Sequence, residues 1–228
     1  MEYSHLLFDF DNTLVDFNYC AYKGLKDTFN NYDIEWTESN YKLYKQINHT
    51  VWTDFEKGLI TTEDIRQKRF TLFLESLHIS NIDGYEMNAY YLEQIVAHPK
   101  TLDTTVEALD ILQNKYSLGI VTNGLKEVQR RRLTKHRLDK YFSHIFVSDE
   151  IDLAKPDPRY FNYVFERIAE TDKSKVLVIG DNIKSDIGGA QSFGFHGCWF
   201  NPDEKENSTD ISPMYTISQL TNLVKLIS

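Results

Sequence analysis

The segment Asp9-Phe10-Asp11-Asn12-Thr13 sets two carboxylates two residues apart at the end of a short apolar run. Buried like charges are unfavourable unless a cation or a proton compensates them, so the pair asks for chemistry. In extended backbone, alternation puts both side chains on the same side of the strand. Because the strand is ending, local geometry can aim one carboxylate at a metal and the other at a leaving group. One can then act as nucleophile and its neighbour as general acid. Phosphoryl transfer needs such a nucleophile, together with cations, hydrogen-bond donors and a proton for the departing alkoxide. Thr122 supplies a hydroxyl donor, and Asn123 and Gly124 open a helix whose free N–H groups favour an anion. Lys155, in Ala154-Lys155-Pro156-Asp157-Pro158, sits in a loop stiffened by two prolines, with Pro158 suited to the first turn of a helix. Its ammonium is expected near a phosphate. Asp181 and Asp186, in Gly180-Asp181-Asn182-Ile183-Lys184-Ser185-Asp186, add carboxylates for a hard cation, Mg²⁺ with several retained waters.

Each of these segments is weak evidence alone; joined in this order they are specific. Over essentially its whole length the chain resembles the haloacid dehalogenase-like hydrolase superfamily, in the phosphatase branch with a helical cap. The resemblance implies that Asp9 attacks phosphorus and that Asp11 protonates the leaving group and then activates water. It implies that Thr122 and Lys155 hold the phosphate, with Asn123 and Gly124 contributing to the cradle. The implied metal residues are Asp9, Asp11 (through its backbone carbonyl), Asp181 and Asp186, the last acting directly, through water or through Lys155. Residues 48–69, including Trp52, Phe55, Gly58, Ile60 and Thr61, and the segment Cys198-Trp199-Phe200-Asn201 resemble the bacterial pyrimidine 5'-nucleotidase subgroup related to house-cleaning nucleotidases. That implies a nucleoside monophosphate substrate, with Trp52 and Phe55 as candidates to stack on the base or, alternatively, to pack in the cap's own core.

Positioning these residues falls to a set of short apolar runs, 4–10, 116–121, 144–148, 175–180 and 196–200, each followed by polar residues. Runs of this kind read as parallel strands buried on both faces. Helical patterns over 103–115, 125–137, 158–169 and 183–193 alternate with them, so the expected fold is α/β, a doubly wound parallel-sheet (Rossmann-like) core with ligands at the carboxyl ends of the strands. Residues 16–98 lack strand patterns and predict a helical cap inserted after the first strand, leaving 1–15 and 99–228 as the core. Within the cap, Thr61 or Thr62 followed by Glu63 and Asp64 predicts a helix start, with Ile65, Phe70, Leu72, Phe73 and Leu77 as its apolar face. Residues 203–212 read as a polar loop.

A chain of 228 residues with 41% hydrophobic and 26% charged residues is a globular composition. Its formal charge of -9 argues against binding polymeric nucleic acid, which needs a basic stripe. The one basic cluster, Lys126 to Arg137 with Arg130, Arg131 and Arg132 at its centre, lies on a predicted helix and reads as a solvated face. Cys20 and Cys198 are too few for a disulfide framework and read as inert thiols, which with the lack of an export or membrane-spanning run points to the cytoplasm. The seven histidines form no short zinc motif. The expected partner is a small phosphomonoester, with no membrane and a monomer by default. Phosphoglycolate or sugar-phosphate hydrolysis is the alternative substrate reading. Dehalogenation is disfavoured because a halide needs no proton from Asp11. A catalytically silent phosphate-binding module is disfavoured because none of the expected side chains is substituted.

Overall fold

Every residue of Val176–Gly180 is buried, as an apolar run with no polar alternation requires, and the segment forms a strand covered on both faces. The structure, a computed structural model, describes residues 2–227. The chain divides into two compact units, Met1–Phe17 with Lys100–Ser228, and Asn18–Pro99.

The first unit contains β1 (His5–Phe8), and the second carries α1 (Phe17–Asn31), α2 (Glu38–Glu56), α3 (Thr62–Ser76) and α4 (Gly84–Ala97), with the first residue of α1 belonging to the first unit. The first unit continues with α5 (Thr105–Leu112), β2 (Ser117–Thr122), α6 (Lys126–Lys135), β3 (His144–Val147), α7 (Ser148–Ile151), α8 (Pro158–Phe165) and β4 (Val176–Gly180). After a turn of π-helix, Ile183–Gly188, come α9 (Gly189–Phe193), β5 (His196–Phe200), β6 (Tyr215–Ile217) and α10 (Leu220–Ile227). The six strands form one sheet in the order β3-β2-β1-β4-β5-β6, all neighbours parallel. β1 is therefore flanked by β2 and β4, where the strand order reverses and a ligand crevice opens.

Alternation along the strands feeds two separate cores. Leu6, Phe8, Leu118, Ile120, Leu177 and Ile179 pack with Leu109 and Leu112 of α5, Leu133 of α6, and Leu220 and Leu223 of α10. Leu7, Val121, Val176 and Val178 face the other way, onto Tyr160, Phe161 and Val164 of α8 and Ala190 of α9. The expected doubly wound α/β sheet is present. β6 and α10 are additions to the expected set, and the expected final helix is split into the π-turn and α9.

In the helical unit, α3 starts at the expected threonine: the Asp64 amide donates to Thr61 Oγ1 at 3.2 Å, and Asp64 Oδ2 accepts from the Thr61 amide at 2.9 Å. Its buried face is Ile65, Arg66, Arg69, Phe70, Phe73 and Leu74. Leu72 is exposed, contrary to expectation, because at 100° per residue it falls off the stripe that Phe70, Phe73 and Leu74 define. The unit's interior is aromatic, with Phe29 stacked on Phe73 at 5.0 Å between ring centres and Tyr44 4.9 Å from Phe70.

Candidate active site

β1 ends at Phe8, and the chain turns out of the sheet through Asp9–Thr13, with Asn12 in the left-handed region at φ 57°, which asparagine tolerates. The turn is held on both sides. The Asp9 amide donates to the carbonyl of Ile179 on β4 at 2.8 Å, and the Asp181 amide donates to the hydroxyl of Thr13 at 3.1 Å. Thr13 in turn reaches Asp9 Oδ2 at 3.4 Å. Thr13 is wholly buried and ties the first motif to the fourth, a structural role beyond its place in the motif.

Asp9 is 7% exposed and Lys155 2%. Lys155 Nζ lies 2.7 Å from Asp9 Oδ1, 2.7 Å from Asp186 Oδ1 and 2.7 Å from the Val121 carbonyl, using all three of its N–H donors. Its loop is clamped by Asn123, whose side chain donates to the Lys155 carbonyl and accepts from the Lys155 amide, each at 2.8 Å. The Asn123 side chain is thus committed to holding Lys155. Asp186 also accepts from the Asn182 amide at 3.0 Å, and it packs so close to Gly180 that a Cβ there would collide with its carboxylate. Trp199 of β5 donates from Nε1 to the Asp181 carbonyl at 2.9 Å.

Carboxylate oxygens of Asp9, Asp181 and Asp186 lie within 4.8 Å of one another. Burial pushes the Asp9 carboxyl well above the usual range; Lys155 opposes this, while Asp186, Asp181 and Asp11 add to it. Asp181 is likewise pushed up to about 7 by burial and by Asp186, against Lys155. Burial disfavours the Lys155 ammonium, but Asp186 and Asp9 outweigh it and raise its pKa. Three carboxylates thus share one ammonium, a hard oxygen donor set short of positive charge, which is what a divalent cation fits.

The carboxylate of Asp11 lies outside that group and turns toward α6. Its Oδ1 is 2.7 Å from Arg132 Nη1, and its Oδ2 accepts from Gln129 Nε2 at 3.0 Å. Gln129 Nε2 also donates to Thr122 Oγ1 at 2.8 Å, and Gln129 Oε1 accepts from Arg132 Nη1 at 2.7 Å. The approach is close enough that a Cβ at Gly124 would strike the Gln129 amide. The guanidinium of Arg132 lies 4.9 Å from the ring centre of Phe10 and 5.0 Å from that of Phe17. Burial and the Arg132 charge hold the nearby His136 down to about 4, although Asp11 opposes the shift. The solvated-face expectation fails here: Arg130 pairs with Glu150, but Arg132 is 1% exposed. A run of three arginines on a helix turns each to a different side, so one of them must point inward when the adjacent turn is buried. Neither Gln129 nor Arg132 belonged to the expected constellation.

A model of the haloacid dehalogenase-like hydrolase family matches residues 6–200. The chain belongs to the haloacid dehalogenase-like hydrolases. Among the hydrolase's relatives, the HAD-hydrolase YfnB of Bacillus subtilis is 36% identical, covering 99% of this chain and 96% of that protein. The pyrimidine 5'-nucleotidase YjjG of Escherichia coli is 30% identical, covering 100% of this chain and 99% of that one. The pyrimidine 5'-nucleotidase PynA of Streptococcus pneumoniae is 28% identical, covering 98% and 94%. In three dimensions the hydrolase superposes on the crystal structure of magnesium-bound YfnB with a TM-score of 0.92 and 35% identity, both chains being covered in full. Among the described residues, no helix is long and apolar enough to cross a membrane.

Proposed function

We propose that this hydrolase is a Mg²⁺-dependent phosphomonoesterase that works through an aspartyl-phosphate on Asp9 and favours pyrimidine nucleoside 5'-monophosphates. The observation that carries the reading is the buried Asp9 carboxylate, 2.7 Å from the Lys155 ammonium and grouped with Asp181 and Asp186. Its residue types match the hard-cation chemistry of a family member whose magnesium-bound structure superposes on it. When bound, the metal would neutralise the phosphate and its developing charge, held by Asp9, Asp181 and the Asp11 carbonyl, with Asp186 supporting from beside Lys155.

The protein's own residues then account for each proton and bond. Thr122 and Lys155 orient the phosphate; the helix the sequence placed at Asn123 and Gly124 starts only at Lys126, and the Gly124 and Lys126 amides donate to Thr122 Oγ1 at 3.3 Å and Asp149 Oδ2 at 3.0 Å. An oxygen of Asp9 attacks phosphorus as the bond to the leaving oxygen breaks, and Asp11 gives that oxygen its proton. Asp11, now a carboxylate, takes a proton from water as the water attacks the phosphorus of the aspartyl-phosphate. Phosphate departs and Asp9 is regenerated. Asp11 sets this chemistry apart from dehalogenation, where the leaving halide takes no proton.

The nucleotide preference is supported by the two near-full-length pyrimidine nucleotidase relatives. Trp52 and Phe55, paired edge to face at 5.7 Å on α2 and each partly exposed, are the aromatic candidates to meet a base. A glyceraldehyde 3-phosphate phosphatase of Pyrococcus abyssi, 24% identical, keeps sugar phosphates as the second reading. The test is a phosphate-release panel of nucleotides, sugar phosphates and phosphoglycolate, with metal stripped by chelator and then restored as Mg²⁺. Activity is expected to vanish and return with the metal, with uridine and thymidine monophosphates turned over best. Full activity without metal would overturn the mechanism. A preference for a sugar phosphate or phosphoglycolate above about tenfold, ~1.4 kcal/mol, would overturn the nucleotide assignment alone.

A further inference from the structure

Asp11 lies where the chain has left the sheet, and its side chain is 26% exposed. A carboxylate there has rotamers to choose from, and proton delivery to a leaving oxygen requires one of them to be held. We infer that Gln129 and Arg132 are positioning residues that fix the Asp11 carboxylate for proton transfer and couple it to the Thr122 hydroxyl; this rests on the phosphatase reading above.

Three features of the pair support the assignment. Both oxygens of Asp11 are met from α6, Oδ2 by a hydrogen bond from Gln129 at 3.0 Å and Oδ1 by an ion pair with Arg132 Nη1 at 2.7 Å that lacks hydrogen-bond geometry, so rotation about either side-chain bond loses a contact. The amide of Gln129 has a single workable orientation. Its Nε2 serves Asp11 and Thr122, and its Oε1 takes a hydrogen from Arg132. Flipping the amide would set its oxygen against a carboxylate and its nitrogen against a guanidinium. Arg132, moreover, is an expensive residue to bury. It is 1% exposed, and its Nε and Nη2 have no hydrogen-bond partner. The rings of Phe10 and Phe17 flank the guanidinium and leave Nη1 as the arm that meets both Asp11 and Gln129. A cation serving only to fill space would be replaced at lower cost by an apolar side chain. Here it reaches past Phe10, the residue between the two aspartates, to the second of them. Arg132, Gln129, Asp11 and Thr122 thus form one connected unit, whereas Asp9 is held by Lys155 on separate contacts.

The consequence is a selective one. Attack by Asp9 on an ester with an activated aryl leaving group needs little proton donation and should tolerate a loosened Asp11. An alkyl phosphate needs the proton and should not. Arg132→Met and Gln129→Met approximate the length of the original side chains while removing these contacts, and Arg132→Lys keeps the charge but not the planar group beside Phe10 and Phe17. The experiment measures kcat and KM of wild type and the three variants on p-nitrophenyl phosphate and on a simple alkyl phosphate, alongside crystal structures of the two Met variants. Expected is a fall in kcat/KM, which runs only to departure of the leaving group, on the alkyl ester at least about tenfold greater than on the aryl ester in both Met variants, within the range general-acid catalysis supplies, with Arg132→Lys recovering part of it. The structures are expected to show the Asp11 carboxylate in another or a mixed rotamer. Equal losses of kcat/KM on both esters in folded variants, or an Asp11 side chain unmoved in both structures, would overturn the inference. Should wild type hydrolyse neither ester, the phosphatase reading fails, and the rotamer of Asp11 still decides whether Gln129 and Arg132 position it.

Discussion

Lys155 has no spare donor in this structure, since its three N–H groups go to Asp9, Asp186 and Val121. A phosphate arriving beside Asp9 must therefore share or take over one of those hydrogen bonds, and the carboxylates are the partners most ready to yield when a cation joins them. The same arrangement separates the nucleophile's two properties. Asp9→Asn removes the anion but retains an amide oxygen that Lys155 can reach, and Asp186 still pairs with the ammonium. The variant is expected to stay folded, with a Tm within a few degrees of wild type, and to lose at least about 10³-fold in kcat. Phosphate-release assays together with a thermal melt check both halves, and rapid turnover by the folded variant would remove Asp9 from its role. At this scale residue type and spacing foretold proximity, since Asp9, Lys155, Asp181 and Asp186 come together and Asp11 meets Thr122 through Gln129, while their chemical roles stand as proposed. The sequence was not legible for Arg132 and Gln129. A side chain in a basic run looks solvated until the helix phase relative to Phe10 is known, and no residue in the run itself records that phase.

The elements follow from local rules wherever a cap or an uninterrupted apolar run marks them. Asp157 illustrates this: its Oδ1 accepts from the Arg159 amide at 2.8 Å, with Pro158 at the first helical position, so α8 starts where the proline pair says it should. The elements that escaped are those with weak local signals. β6 is three residues long with one buried side chain at the sheet's edge, too short for a period to register. Arg69 on α3 escaped for a different reason, since it sits inside the aromatic interior of the helical unit, 3% exposed and 5.0 Å from the ring centre of Tyr91. Its Nε donates to Asn88 Oδ1 on α4 at 2.6 Å, while Nη2 has no hydrogen-bond partner. Asn88→Leu would leave this buried guanidinium without that acceptor and is expected to destabilise the protein by about 2 kcal/mol. Replacing both, as Arg69→Met with Asn88→Leu, is expected to recover much of that loss, because the cost lies in the unpaired charge and not in the missing bond. Urea denaturation of the single and double variants measures it. A single variant as stable as wild type would mean that Asn88 contributes nothing to holding the arginine.

The chain leaves the sheet-containing unit after Phe17 and returns at Lys100, and the two ends of that excursion are fastened to each other within the unit itself. The Asp16 amide donates to the Lys100 carbonyl at 2.8 Å, and Lys100 Nζ pairs with Asp16 Oδ2 at 2.7 Å. Val15 bridges Thr101 in antiparallel fashion just inside them. Both apolar cores flanking the sheet are drawn from this unit alone, from Tyr3 through Val15 and from Ala108 onward, with no residue of Asn18–Pro99 among them. Every side chain assigned to phosphate chemistry also belongs to it. A long insertion whose ends meet costs little to close with a short linker, since closure entropy changes only slowly with loop length. Replacing residues 18–99 by a few Gly and Ser residues is therefore expected to leave a unit that unfolds cooperatively. That unit is expected to hydrolyse p-nitrophenyl phosphate in the presence of Mg²⁺, since every side chain assigned to the phosphorus chemistry belongs to it. What it should lose is selectivity. If Trp52 and Phe55 meet the base as proposed, the ratio of kcat/KM for a pyrimidine nucleotide to that for the aryl ester is expected to fall at least about tenfold. Trp52→Leu and Phe55→Leu in the full chain are expected to shift the same ratio in the same direction by less. Melting curves and the two-substrate comparison decide it: a shortened chain without a cooperative transition would show that the sheet unit depends on residues 18–99 to fold. A folded one with undiminished nucleotide preference would move substrate recognition out of the helical unit and into the crevice at the strand ends.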